Sequence, residues 1–511
     1  MIKYLIIFEG ELIMHIANWH EYRNKIKLNN THWINGSFVE SKSGQTIDKQ
    51  TPIDGKHLVS FARGTKADVD TAVAAAKKAF CSGIWSDLAP AKRKAILLNF
   101  AKLIEDNCNE LAMLETLDMG KPISESINVD VSATVNCFRY YAEAIDKVYG
   151  EVAPTGPDSF AYIIKQPVGV VGAIVPWNYP LIMTAWKLAP ALAAGNAVVL
   201  KPSERSPLSA LKLAELAKEA LIPDGVLNVV LGYGHEAGEA LALHPDVNVL
   251  GFTGSTLTGK KMLAYSSQSN LKRIYNELGG KSAVLVFNDY NNLERAAATL
   301  AGSMFYNQGQ SCNAPSRILV QEDIADEMVK LLAKRAPLHQ PADPLLPTTG
   351  MGAMVDQKHM ERVLAYIETG NKNGAECIVG GKRALSDSGG YYIEPTIFDK
   401  VTPNMTIAQE EIFGPVLSVI RFKTEAEALQ IANASDYGLQ AGIWSNDVSR
   451  IHRLARKLQA GTVHVNQFDG DNITVPFGGV KQSGNGRDKS LHALDKYTEL
   501  KTVWLQINTD N

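Results

Sequence analysis

The chain lacks what would mark a membrane, nucleic-acid or disulfide-built protein. Five cysteines, Cys81, Cys108, Cys137, Cys312 and Cys377, are scattered over 511 residues. That excludes a disulfide framework and, with no CxxC pair, a zinc site, so no metal is expected and reduced thiols in a cytoplasm fit. Charge of one sign is missing too: 51 basic against 54 acidic residues leave −3, no broad pull toward nucleic acid or anionic lipid. No stretch approaches the roughly 20 uncharged apolar residues that cross a bilayer. The early apolar run Leu5–Phe8 is followed by acidic residues and no small-residue cleavage site, unlike a signal peptide. Met14 offers a second start, so residues 1–13 read as a start-site extension without a catalytic role. Two nucleotide fingerprints are absent: Gly232, Gly234 and Gly238 have the wrong last spacing for GxGxxG, and GxxxxGK[ST] does not occur.

What is present is ordinary for a globular enzyme: 45% apolar and 21% charged residues. The length exceeds what one core organises and predicts two or three domains around a shared cleft. From Ala67 to about Tyr149 apolar residues recur three and four apart, the pattern of amphipathic helices. SFAYIIKQPV then reads as a strand for an edge or interface. Next, VGVVGAIV, AVVLKP, VLNVVLG and VNVLGFTGS alternate with helical segments, a βαβ rhythm that implies a helix-covered parallel sheet. Ser206-Pro207 reads as an N-cap and first-turn pair. A second α/β series starts at Ala283–Phe287, with a helix through 292–305, the strand RILV and a helix from Ile324.

Cys312 closes FYNQGQSC, where a long helix ends at a Gly-containing turn and a thiol can face a cleft. Thiolate is the reactive form, and an unperturbed thiol near ~8.5 needs only modest help at neutral pH; a free Cys can equally be a small buried hydrophobe. Glu277 opens ELGGK at a strand end, beside glycines that permit close approach, and becomes a general base if partial burial raises its pKa. A capping or surface Glu is the competing reading. VPWNYP follows a strand at the carboxyl edge where open α/β sheets place ligands. The amide of Asn178 there either donates to an oxyanion, worth ~2.7–4 kcal/mol, or closes an Asx-turn. KPSE sets Lys201 and Glu204 at a second strand end, where Glu204 suits a ribose 2′-hydroxyl and repels a 2′-phosphate. FTGSTLTGK sets Gly254, Ser255 and Gly259 at a strand-to-helix turn suited to a pyrophosphate.

Together PWNYP, KPSE, FTGST, ELGGK, FYNQGQSC, EEIFGPV and PFGGVKQSGNGRD, in this order from about Asn29 to Leu505, resemble the aldehyde dehydrogenase superfamily. The resemblance implies an α/β fold with a Rossmann-like cofactor domain (1–148 and 169–281), a second α/β catalytic domain (282–486) and a small β-ribbon (149–168 and 487–511) that joins subunits into a homodimer or homotetramer. It implies Cys312 as nucleophile, Glu277 as base, Asn178 and the Cys312 backbone N–H as oxyanion hole, and Lys187 as support. NAD, or NADP, would be held by Val175, Pro176, Trp177, Lys201, Ser203, Glu204, Gly234, Gly238, Phe252, Thr253, Gly254, Ser255, Gly259, Leu278 and Gly279. Glu411 would take the nicotinamide ribose and Phe413 would pack near its ring. A thiohemiacetal would lose hydride to leave a thioester, which water activated by Glu277 hydrolyses.

By the same resemblance Tyr179, Met183, Trp186, Ser311, Asn313, Phe468 and Phe477 would line a substrate tunnel, with Val129-Asp130 at its mouth. Asp469 and Asp471 would attract an amine or amide, or be plain solvated loop residues. RYYAEAIDKVYGEVA, GHEAG and VPFGGVKQSGNGRDKSLHALDKYTELKT are similar to bacterial γ-glutamyl-γ-aminobutyraldehyde dehydrogenases of putrescine catabolism, which implies an ω-amino or γ-glutamylamino aldehyde. A broad-specificity or betaine-type aldehyde dehydrogenase is the alternative within the family, and a Cys-dependent hydrolase the alternative outside it. Two departures, Val480 for an aromatic and Asp488 for Glu after GR, are expected to shift subunit packing or the tunnel without touching the nucleophile.

Overall fold

The computed structural model describes residues 16, 18–470 and 472–508. Residues 1–13 and Asp471, on which two of the expectations fall, lie outside that set.

Two seven-stranded sheets organise the chain. In the first, Val170–Ile174 is flanked on one side by Ala197–Lys201 and Leu227–Val229 and on the other by Val249–Thr253 and Arg273–Glu277, all parallel. The short antiparallel pair His32–Ile34 and Ser37–Val39 completes its edge beside Leu227–Val229. Strand order therefore reverses at Val170–Ile174, and ligands collect beyond the carboxyl ends of strands at such a switch point. In the second sheet Ala283–Val286 lies between Arg317–Gln321 and Gln440–Trp444, again parallel. Every residue of Val170–Ile174, Ala197–Lys201, Val249–Thr253 and Ala283–Val286 is buried. That is why these strands read as continuous apolar runs: helices cover both faces, and each fully buried Val, Leu or Ile contributes about 1.5–3 kcal/mol.

The sheets meet end to end. Arg273–Glu277 finishes at the carboxyl edge of the first, and the chain crosses within five residues to the amino edge of the second at Ala283. Cys312 precedes Arg317–Gln321 and Glu411 precedes Val416–Phe422, so both stand at that amino edge. A carboxyl edge thus faces an amino edge across one gap.

The helix Pro180–Ala193 is buried on all sides, with Pro180 at its first turn, where the missing N–H costs nothing. The helix Leu208–Glu219 departs from expectation. The Ser206 hydroxyl is buried and makes no hydrogen bond, while the carboxylate of Asp118 accepts from Leu208 N at 2.8 Å. A fixed charged acceptor outcompetes a local hydroxyl for the orphan N–H. Ser159–Pro167 pairs with Thr498–Gln506 over nine residues, with Glu151–Ala153 on its other side, as a separate ribbon. Among the described residues no helix is long and apolar enough to cross a membrane.

Candidate active site

Between the two sheet edges lies a cavity of about 1080 Å³. Its first wall comes from strand ends of the first sheet: Val175, Pro176 and Trp177 after Val170–Ile174, Lys201, Ser203 and Glu204 after Ala197–Lys201, and Phe252 to Ser255 after Val249–Thr253. Glu277, Leu278 and Gly279 follow from the last strand, and Cys312, Asn313, Glu411 and Phe413 face them from the second sheet.

Cys312 is placed by a strained turn. Asn307, Gln308 and Gly309 all have positive φ (48°, 56° and 66°), and the two non-glycine residues cost about 1–3 kcal/mol each. Hydrogen bonds hold the turn: Asn307 Nδ2 donates to Asn178 O at 3.0 Å, Asn178 Nδ2 to Gln310 O at 2.9 Å, and Val355 N to Gln310 Oε1 at 3.0 Å. Asn178 lines the cavity with its second amide hydrogen to spare.

ELGGK is pinned just as closely. Leu278 N donates to Ser483 O at 2.9 Å, Ser483 Oγ to Gly279 O at 2.6 Å, and Gly280 N to the Glu411 carboxylate at 2.9 Å. A Cβ on Gly279 would stand 2.3 Å from a Glu411 oxygen and one on Gly280 would stand 2.1 Å from the Cys312 carbonyl. Gly280 meets backbone and is a steric requirement, while at Gly279 the crowding atoms are those of the Glu411 carboxylate, which Gly280 N holds in place. The paired glycines bring the acid-bearing strand end against the nucleophile loop.

Glu277 is 2% exposed, and neither carboxylate oxygen makes a well-formed hydrogen bond. Burial pushes its pKa up to about 8, against the nearby Lys187 ammonium, which lowers it, and the neighbouring Cys312 thiol also lowers it. The Cys312 thiol is pushed well up by burial and then by Glu277 and Glu411. Thiol and carboxyl therefore share a proton-rich pocket, in which a cationic ring would favour thiolate.

Lys187, 1% exposed, pairs with Asp488 at 2.5 Å, and Asp488 also bonds Lys496. Asp488 bonds these two lysines rather than the nucleophile, and its effect reaches the active site because it neutralises the ammonium beside Glu277. Val480 forms an antiparallel bridge with Gly438.

At the other end the helix Thr256–Gln268 points its N-terminus at the cavity, with Ser255 accepting from Thr258 N at 3.3 Å. Lys201 lies 3.3 Å from Glu204. Burial raises Glu204, but Lys201 and Arg205 outweigh it and hold the carboxyl below its usual value, hence ionised. A helix N-terminus for a pyrophosphate, an acid and a lysine for a ribose, and a second acid in Glu411 fit a dinucleotide.

The substrate side has Tyr179, Met183, Trp186 and Phe477 in the wall, with Asn313 donating to Asp469 at 2.5 Å. Asp469 has φ +61°; burial raises its carboxyl to about 6 while Asn313 and Lys489 lower it.

Several expected residues stand elsewhere. Asp130 is fully buried, 2.6 Å from Lys121, whose ammonium lies 4.2 Å over the Tyr179 ring. Val129 faces the cavity and its neighbour faces inward, because successive residues of the helical turn Ser126–Val131 point in different directions. Ser311 lies outside the wall and bonds the Tyr179 hydroxyl. Phe468 packs in the core with His464, ring centres 5.2 Å apart. Gly234 and Gly238 form a separate π-helical turn, and Gly259 packs under Leu278; none of the three is in the wall.

Sequence reasoning missed Arg205, Tyr306, His359, Arg362, Tyr366 and Tyr437, all in the wall. Arg205 could have been read from its place after KPSE and Tyr306 from its place in FYNQGQSC; the others carry no local signal.

The sequence matches the profile described as the aldehyde dehydrogenase family over residues 38–503. It is 51% identical over 493 residues to the NADP/NAD-dependent aldehyde dehydrogenase PuuC of Escherichia coli, covering 96% of this chain and 99% of that protein. AldA, the indole-3-acetaldehyde dehydrogenase of P. syringae, solved with NAD+ and IAA, superposes with a TM-score of 0.95 at 52% identity, covering 96% of this chain and 99% of that one. The γ-glutamyl-γ-aminobutyraldehyde dehydrogenase of Burkholderia cenocepacia gives 0.94 at 50% identity, with the same coverage.

Proposed function

The chain belongs to the aldehyde dehydrogenase family, enzymes that use NAD(P), and from that premise we propose that it oxidises an ω-amino or γ-glutamylamino aldehyde to its acid by thioester hydrolysis. The carrying observation is the apposition of Cys312 and Glu277 where the dinucleotide-shaped end of the cavity meets its aromatic end.

Cys312 Sγ reacts as thiolate, its proton released to solvent, and bonds to the aldehyde carbon as the C=O π bond opens. The resulting oxyanion accepts from the second N–H of Asn178 and from the Cys312 backbone N–H. Nicotinamide, when bound, supplies the hydride acceptor. Loss of hydride leaves a thioester on Cys312. Glu277 then takes a proton from water, the hydroxide oxygen bonds to the acyl carbon, and the C–S bond breaks to return thiolate and release the acid. Ionised Glu204 beside Lys201 favours a free 2′-hydroxyl and hence NAD over NADP.

Asp469, in the wall with Asn313, is the anchor for a substrate ammonium, and Lys121 behind Tyr179 stiffens the same wall. The γ-glutamyl-γ-aminobutyraldehyde enzyme and the aminoacetaldehyde dehydrogenase of Pseudomonas aeruginosa, 43% identical, support this substrate class. Of the described residues, those up to 148 and 169–281 form the cofactor unit and 282–486 the catalytic unit. The ribbon 149–168 with 487–511 joins subunits into a dimer or tetramer; its exposed Leu500 and Trp504 support that role. A cytoplasmic setting suits five free thiols.

The test is a panel of 4-aminobutanal, its γ-glutamyl amide, hexanal and indole-3-acetaldehyde with NAD+ and NADP+, followed by reduced-cofactor absorbance. The highest kcat/KM falls on the first two; a value for hexanal or indole-3-acetaldehyde equal to or above them refutes the substrate assignment.

A further inference from the structure

We propose that His359 is a positioning residue for the dinucleotide, acting through Phe413 and Trp177. This rests on the reading that the end of the cavity walled by these residues takes the nicotinamide half of NAD.

His359 stands in the first turn of the helix Gln357–Lys372, whose cap Asp356 accepts from His359 N at 2.7 Å. The other Asp356 oxygen pairs with Arg205 Nε at 2.9 Å, and the Arg205 guanidinium lies 5.6 Å from the Trp177 ring centre. The imidazole is 6% exposed and lines the cavity. Its ring centre is 5.2 Å from that of Trp177 and 6.2 Å from that of Phe413, with Trp177 and Phe413 themselves 5.3 Å apart and nearly perpendicular. Three rings form one cluster across the gap, because Trp177 follows a strand of the first sheet and Phe413 feeds a strand of the second.

The decisive contact is the 2.7 Å approach of His359 Nε2 to the Phe413 carbonyl oxygen. A carbonyl only accepts, so Nε2 carries the hydrogen. Burial lowers the imidazole pKa to about 4, against the Phe413 hydrogen bond, which raises it, and so keeps the ring neutral. Phe413 has φ +62°, a backbone state that a bulky side chain rarely adopts. The imidazole N–H fixes the orientation of that peptide, while its ring fills the space beside the phenyl group. Phe413 is thereby held with its ring in the wall, in a loop that begins at Glu411. The chemical steps make no use of His359, so the thiol chemistry should survive its loss while affinity for the dinucleotide falls.

The experiment is a titration of NAD+ into the full-length protein without aldehyde, followed by calorimetry, and separately steady-state kinetics. His359→Leu removes the donor and is expected to raise the NAD+ Kd about tenfold. His359→Gln, which keeps an N–H donor, should restore it to within about threefold. With NAD+ saturating, kcat and the aldehyde KM of both variants stay within about threefold of wild type. Phe413→Ala should reproduce the loss, and the Leu/Ala double variant should bind no more weakly than Phe413→Ala alone. Should the Leu variant fail to fold, His359→Phe carries the same expectation, since it lacks the donor. Wild-type affinity in the Leu or Phe variant overturns the proposal, as do equal losses in Gln and Leu or additive losses in the double variant. Failure of the wild-type protein to bind NAD+ would sink the underlying reading, a separable result.

Discussion

Gly280→Ala tests the placement of the nucleophile without altering a reacting group. An added Cβ would stand 2.1 Å from the Cys312 carbonyl oxygen and 3.3 Å from the Leu439 Cβ. Ordinary contact requires the carbonyl to retreat by about 1 Å. The loop has little freedom to do so: residues 307–309 are already left-handed, and Gln310 is tied to Asn178 and Val355. The shift therefore carries the Cys312 Sγ and N–H with it. A misplacement of about 1 Å costs roughly 10²-fold in rate, about 2.7 kcal/mol. Rapid-mixing measurement of the NADH burst at saturating NAD+ reads this step directly. The expected result is a burst slowed about 100-fold with NAD+ affinity retained, since Gly280 is outside the cavity wall. A folded variant with a wild-type burst rate would refute the steric argument.

Three further outcomes follow from the same geometry. Because burial raises Glu277 to about 8, its basic form grows as pH rises toward that value; deacylation-limited kcat should climb about tenfold per unit below pH 8 and level off above it, and a flat profile from pH 6 to 9 on the order of wild-type rates would contradict that role. Asp469→Asn should lower kcat/KM for 4-aminobutanal by about 10- to 100-fold, the loss of one charge-assisted contact, while hexanal is unaffected; equal losses for both would remove Asp469 as the anchor. Glu204→Gln should raise the NADP/NAD ratio of kcat/KM by about tenfold or more, and an unchanged ratio would dissociate Glu204 from cofactor choice.

The parallel sheets were legible because strands buried on both faces write themselves as uninterrupted apolar runs. Glu277, Lys201, Glu204 and the 252–255 turn were legible because each sits at a strand's carboxyl end, where chemistry and local pattern coincide. Asp130 was misplaced because sequence adjacency to Val129 says nothing about direction within a helical turn; Lys121 draws it inward. The Ser206 cap failed for a tertiary reason, since Asp118 reaches Leu208 N from another helix. His359 left no trace at all: on an amphipathic helix it reads as one more polar residue, and its meaning arises only where the helix meets Phe413 and Trp177. The role of Asp488 was invisible in the same way, because the lysine that links it to Glu277, Lys187, lies 301 residues away in the sequence.

The central claim, oxidation through a thioester on Cys312 that Glu277 helps hydrolyse, is tested most directly by mixing the Glu277→Gln variant with NAD+ and aldehyde and digesting it for mass spectrometry. The account predicts about one NADH per subunit with little further turnover and an acyl mass on the peptide containing Cys312. Steady turnover at the wild-type rate, or a burst that leaves Cys312 unmodified, would contradict it.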